Sequence, residues 1–139
     1  MMMGRKENKN PVPGILFAAP KSGSGKTLIT CGFLQALIKR GFHPCSFKCG
    51  PDYIDPMFHR HVLRIPGANL DSFFLDEEEV EKSFKRTFLK NGADIAVIEG
   101  VMGYYDGVGG THTQASAYDI SRITRTPVIL ILDGKGASL

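Results

Sequence analysis

No apolar run in these 139 residues is long enough to cross a membrane, and the first residues lack the apolar core of a signal peptide. There is no charge imbalance of the kind that binds polyanions. The net charge is +3, and several basic residues fall in the opening stretch MMMGRKENKNP, so nothing electrostatic points to nucleic acid. Cysteine is scarce: Cys31, Cys45 and Cys49 are odd in number and irregularly spaced. Cys45 and Cys49 are close enough to share a metal, but no second pair completes a zinc set, so reduced and mostly buried thiols are expected. What remains is a cytoplasmic protein of ordinary composition, with 42% hydrophobic and 22% charged residues. The length suits one compact domain with a real core and is too short for two.

Residues 1–13 read as a flexible tail and residues 14–139 as the domain. Residues 14–19 form a short, wholly apolar strand. From Lys26 to Arg40 the apolar side chains Leu28, Ile29, Cys31, Leu34, Leu37 and Ile38 recur at helical spacing, and Gly41 is placed to end that helix. A second strand is PCSFKC; residues 50–66 carry three prolines and predict a loop with a short helix. Asp76 with Glu79 predicts a capping box for a helix through EEEVEKSFKRTFLK, and the acidic run there favours a helix start. DIAVIEG is a strand ending at Glu99, a helix is expected near residues 114–125, and PVILILD is a strand ending at Asp133. Apolar strands alternating with helices imply an α/β fold whose mostly parallel sheet is flanked by helices. Ligands bind beyond the carboxyl ends of such strands, and Pro20, Lys48, Glu99 and Asp133 all stand there.

The first of those ends carries the most specific signal. In APKSGSGKT, Gly23 and Gly25 let the backbone curl so that its N–H groups meet phosphate oxygens beside the positive end of a helix. Residues 21–27 (Lys21, Ser22, Gly23, Ser24, Gly25, Lys26, Thr27) are the nucleotide-binding set. Within it Lys26 reaches the outer phosphates and Thr27 offers its hydroxyl to Mg²⁺. A dinucleotide fingerprint would lack the Lys-Thr pair. Proline at 20, where the phosphate loop usually has glycine, followed by Lys21, resembles the deviant P-loops of dethiobiotin synthetase, the Min/Par ATPases and the corrinoid amidating synthetases. In some of those the extra lysine reaches phosphate across a homodimer. Ser22 stands where the dimerising ATPases usually carry glycine, and a solvated loop lysine is the competing reading of Lys21.

Carboxylates narrow the reading. KCGPDYIDPMFH offers Lys48, Asp52 and Asp55 after the second strand, and VIEGVMGYYDG offers Glu99 and Asp106 after a later one. Acids at strand ends facing a triphosphate loop suit Mg²⁺, a hard cation that takes oxygen ligands. Surface loops collect aspartates for other reasons too, a reading stronger for Asp52 or Asp55 singly than for Glu99 at the end of an apolar strand. Together, APKSGSGKT, FKCGPDYIDPMFH, NLDSFF and VIEGVMGYYDG resemble the cobyrinate a,c-diamide synthase family, glutamine-dependent enzymes of corrinoid biosynthesis, from about Ile15 to the end of the chain. Partition-type ATPases usually have aspartate where Glu99 stands and lack the GPDYIDP block. Dethiobiotin synthetase shares the glutamate-glycine pair and also lacks that block.

The resemblance implies a ligase of P-loop NTPase-like, dethiobiotin-synthetase-like fold. ATP phosphorylates the a and then the c acetate of cobyrinate, and ammonia displaces phosphate to leave the amide. It assigns Thr27, Asp52 and Glu99 to the metal. Lys26 and Lys48, with Mg²⁺, offset charge on the phosphoryl group, and Asp55 and Asp106 lie near the substrate carboxylate or the ammonia. Tyr53 and Tyr104 are substrate candidates, weaker than the carboxylates, with Tyr105 beside them. Gly100, Gly103 and Gly107 let the Glu99 loop approach the phosphates. Hydrogenobyrinate and nickel sirohydrochlorin are alternative tetrapyrroles. The family's C-terminal glutaminase domain, which supplies the ammonia, has no counterpart here. The expectation is therefore an amino-terminal fragment that binds nucleotide but cannot use glutamine. A Min/Par-like ATPase switch, supported by Lys21, and an inactive folded remnant are the rivals. His59 and His61 have no further ligand nearby and are set aside.

Overall fold

The computed structural model describes residues 11–50, 60–61 and 63–136. Five strands, β1 (Gly14–Ala18), β2 (Pro44–Cys49), β3 (Gly67–Leu70), β4 (Ile95–Glu99) and β5 (Val128–Leu130), form one sheet in the order β3-β2-β4-β1-β5. Every neighbouring pair is parallel. Helices α1 (Lys26–Lys39), α2 (Glu77–Lys90) and α3 (Ala117–Thr124) lie between these strands. The expected α/β architecture is thus present.

Strand alternation sorts the core into two layers. On one face Leu16, Ala18, Cys45, Phe47, Ala96 and Ile98 pack against α2 and α3; on the other Phe17 and Val97 meet Leu34 and Leu37 of α1. Phe47 and Phe84 sit edge to face, centroids 4.9 Å apart, which ties α2 to the sheet centre. The alternation also decides where polar residues go. Ser46 and Lys48 of β2 and Glu99 of β4 lie at positions of the α1 face, and all three are buried.

Local chemistry fixes the helix ends. Asp76 and Glu79 form the reciprocal capping box, with the Glu79 N–H donating to Asp76 Oδ1 (2.8 Å) and the Asp76 N–H to Glu79 Oε2 (3.1 Å). Gly41, at φ 83°, ends α1 in a Schellman motif: its N–H donates to Ile38 O, and the Phe42 N–H to Leu37 O. Three elements depart from expectation. The last strand covers only Val128–Leu130 and stops short of Asp133, which was expected to end it. β3 has no counterpart in the periodicity, because GANL is too short and too weakly β-forming to register. The third helix begins at residue 117 rather than near 114. Ala115 takes φ 65° and Ser116 becomes the N-cap, its Oγ accepting from the Asp119 N–H (3.2 Å).

Two measurements check this packing. Phe84→Ala, which empties the ring contact with Phe47, is expected to cost about 3–5 kcal/mol in urea denaturation. Burial pushes the Cys45 and Cys49 thiols up to about 12, whereas Cys31 is half-buried. At pH 8 a thiolate-specific reagent should therefore label Cys31 readily and the other two only on unfolding; three equally fast thiols would contradict the core.

Candidate nucleotide-binding site

β1 and β4 lie side by side at the middle of the sheet, and β2 flanks β4, so the loops leaving these three strands converge. Register brings the chemistry together: Glu99 is opposite Lys48 on one side and Phe17 on the other. Lys48 and Glu99 share the α1 face at the level where α1 begins, so helix and strand ends enclose one point.

Glu99 is fully buried and organises that point. Its Oε1 accepts from Thr27 Oγ1 (2.6 Å) and from Lys48 Nζ (2.8 Å). Its Oε2 is buried and has no hydrogen-bond partner among the described residues. An unsatisfied carboxylate oxygen beside a hydroxyl is costly in a protein interior unless a cation or donor completes it. The atom therefore fits one ligand of a hard cation such as Mg²⁺. Asp52, the third expected metal ligand, lies outside the described residues, as do Tyr53, Asp55 and His59. Among the described residues no group of three or more His, Cys, Asp or Glu side chains gathers at one place.

Gly23 and Gly25 take left-handed φ of 75° and 84°, and Gly25 caps α1 without any side-chain bond. The first amides of α1 thus stay open for phosphate oxygens, with the helix dipole behind them. Ser24 Oγ donates back to Lys21 O (3.0 Å) and braces the loop, while the Lys21 side chain is exposed. Lys26 is buried and donates to Met102 O (2.9 Å) and, at 3.5 Å, to Lys21 O. Burial lowers its pKa, the Lys48 charge lowers it further, and Glu99 opposes both. Among the described residues that line the pocket, two ammonium groups stand against one carboxylate, the sign a triphosphate requires. An open cavity of about 560 Å³ is lined by Ser22, Gly23, Lys26, Thr27, Lys48 and Glu99 among others.

The loop after β4 continues the strand pairing. The Gly100 N–H donates to Phe17 O and the Tyr104 N–H to Ala19 O, each at 2.8 Å. Asp106 is exposed, and its Oδ2 accepts from the Gly103 N–H (2.9 Å), so it shapes this loop. Tyr104 turns its hydroxyl to Ser121 Oγ (3.1 Å) and packs edge-on to Tyr118, while Tyr105 is exposed. Met102, whose carbonyl holds Lys26, had no sequence signal: a backbone acceptor is available from any residue type. The Lys48–Glu99 pair did have one, since each ends a strand of the same parallel sheet.

The family described as the CobQ/CobB/MinD/ParA nucleotide binding domain matches residues 15–127. A cobyrinate a,c-diamide synthase of Listeria innocua is 51% identical over 126 residues, covering 89% of this chain and 27% of its own length. A hydrogenobyrinate a,c-diamide synthase of Streptomyces coelicolor is 40% identical over 136 residues, covering 98% and 28%. One from Thermoplasma acidophilum, again a cobyrinate a,c-diamide synthase, is 42% identical over 130 residues, covering 91% and 28%. The chain thus spans between a quarter and a third of the length of these relatives. By the match over residues 15–127, it belongs to the CobQ/CobB/MinD/ParA nucleotide-binding domain family.

Proposed function

We propose that this chain is the ATP-binding part of a corrinoid-amidating ligase acting on cobyrinate or hydrogenobyrinate. The observation that carries the reading is Glu99: a buried carboxylate with one oxygen shared by Thr27 and Lys48 and the other without a partner among the described residues, at the mouth of a phosphate loop. The names and identities of the relatives support the substrate class.

In this reading the triphosphate lies along the residue 21–27 loop, its oxygens taken up by loop amides and Lys26. Thr27, Glu99 and Asp52 would hold Mg²⁺, which when bound screens phosphate charge. An acetate carboxylate of the macrocycle attacks the γ-phosphorus, the bond to the bridging oxygen breaks, and ADP leaves. Ammonia then adds to the acyl carbon, phosphate departs with the C–O bond, and a proton is lost to leave the amide. Lys26 and Lys48 offset the charge that builds on the phosphoryl oxygens, the main service a protein offers such transfers. Asp55 and Asp106 would serve the carboxylate and the ammonia, and Tyr53 and Tyr104 are the candidates for contact with the macrocycle. Ammonia comes from glutamine through a C-terminal glutaminase domain, and a homodimer through Lys21 is the remaining partner assignment. A cytoplasmic setting fits the reading; among the described residues no helix is long and apolar enough to cross a membrane.

Three outcomes test this. ATP with Mg²⁺ at about a hundred times Kd should stabilise the chain by about 2.7 kcal/mol in thermal unfolding. Lys26→Ala should abolish that shift and Thr27→Val its magnesium-dependent part; ATP-dependent dimerisation with no corrinoid effect on turnover would favour the switch reading instead. Affinity should hold near neutral pH and fall as pH rises, before the ordinary lysine value of 10.5 is reached, because Lys26 deprotonates early. The sign follows because phosphate favours the protonated amine, so binding takes up a proton wherever Lys26 is partly neutral. Calorimetric titrations between pH 7 and 10 in buffers of different ionisation heat would read that uptake. Finally, the chain alone should release no ammonia from glutamine; glutamine-dependent ATP turnover would contradict the division of labour.

A further inference from the structure

A second set of cations is not used by the nucleotide site. Where β3 begins, at the end of the sheet opposite the phosphate loop, a cavity of about 730 Å³ is lined by Arg60, Arg64 and Gly67 from one segment. Arg86, Lys90 and Asn91 line it from the last turns of α2 and its C-cap. No carboxylate lines it, and among the described residues none of the four cations is paired with one.

The negative end of the α2 dipole accounts for Arg86 and Lys90 but not for Arg60 and Arg64. Those two come from outside the helix and add guanidinium groups to a cavity that is already positive, at a cost in mutual repulsion. Both are held. An Arg60 guanidinium N–H donates to Gly67 O (3.3 Å). Arg64 has φ 56°, a left-handed backbone unfavourable for any residue with a Cβ, immediately before buried Ile65. A strained backbone beside four cations that have no carboxylate partner among the described residues is what a preformed anion site carries.

We propose that this cavity binds a phosphate-type oxyanion of two or more charges, a pyrophosphate or phosphate-ester group, independently of the nucleotide. Arginine forks match the paired oxygens of such groups, and the Lys90 ammonium adds a point charge. Strands of four to six residues separate the two sites, which at ~3.3 Å per residue is roughly 13–20 Å. That exceeds the ~8 Å Debye length at physiological ionic strength, so charges at one site barely reach the other.

Titration of the whole chain with inorganic pyrophosphate, without magnesium, tests this by calorimetry. Binding should persist in Lys26→Ala, persist when ATP saturates the loop of the unaltered chain, and weaken about tenfold or more in Arg64→Gln/Arg86→Gln. Arg64→Lys, which keeps the charge, should recover part of the loss. A thermal melt establishes that the double variant is folded; Arg60→Gln/Lys90→Gln supplies the same test if it is not. A phenyl phosphate ester run in parallel distinguishes a free anion from an esterified group. The proposal is overturned if pyrophosphate binding disappears with Lys26→Ala and survives the arginine substitutions. It is equally overturned if the Lys26→Ala chain shows no saturable binding, or if a short single-stranded oligonucleotide displaces pyrophosphate and binds more tightly.

Discussion

The carboxylate of Glu99 holds the functional end of this molecule together. Through one oxygen it joins the start of α1, by Thr27, to the end of β2, by Lys48, while its own backbone ends β4. A fully buried carboxylate is tolerable only if its charge is met, and the Lys48 ammonium at 2.8 Å meets it. Lys48 is itself buried, and its removal strands the Glu99 charge in the interior, a penalty of about 3–5 kcal/mol in comparable pairs. Parallel register with β2 and β1 makes the pairing possible, because it sets Lys48 and Phe17 at the height of Glu99.

Backbone proximity performs the second task, keeping the loop after β4 against the phosphate loop. A Cβ on Gly103 would come within 2.5 Å of both Pro20 O and Asp106 Oδ2, and one on Gly100 within 2.9 Å of Phe17 O. Side chains at these positions would drive the loop away from β1 and break the bonds from Gly100 to Phe17 and from Tyr104 to Ala19. Pro20 thus takes part in the contact through its carbonyl, which proline retains, while its missing N–H removes a donor that the loop would otherwise have to satisfy. The residue that departs from the common phosphate-loop pattern is also the residue on which the neighbouring loop rests.

How much of this the sequence disclosed depended on the range of the forces involved. Local signals were readable: Gly41 ending α1, the Asp76–Glu79 box starting α2, and GSGKT between strand and helix each act within a few residues. β3 was hidden for a physical reason. A Cβ on Gly67 would fall 1.7 Å from Ser46 O, so glycine is required where β3 meets β2, and the residue that permits the pairing also lowers its strand propensity. The start of α3 was displaced because Ala115 adopts a left-handed turn that composition does not reveal, and Ser116 caps the helix after it. At the site, Lys26, Thr27, Lys48 and Glu99 could be chosen from residue type and position at strand ends. Their common hydrogen-bonded cluster could not, because it rests on which strands are neighbours.

Lys26 shows how the same cluster prepares for an anion. A buried ammonium needs acceptors, and this one has the carbonyls of Met102 and Lys21. Met102 supplies its carbonyl from a left-handed backbone, φ 45°, a conformation that costs about 1–3 kcal/mol and persists only where neighbouring bonds enforce it. Carbonyls are neutral acceptors, and bonds to charged phosphate oxygens are roughly twice as strong. An anion on the loop can therefore take Lys26 from Met102 at a net gain and remove one of the bonds that enforce the strained turn. Asp106 and Tyr104 belong to that same turn, braced by the bonds to Gly103 and Ala19. Lys26 thus joins the phosphate loop to the segment that carries Tyr104 and Asp106, through the Met102 carbonyl.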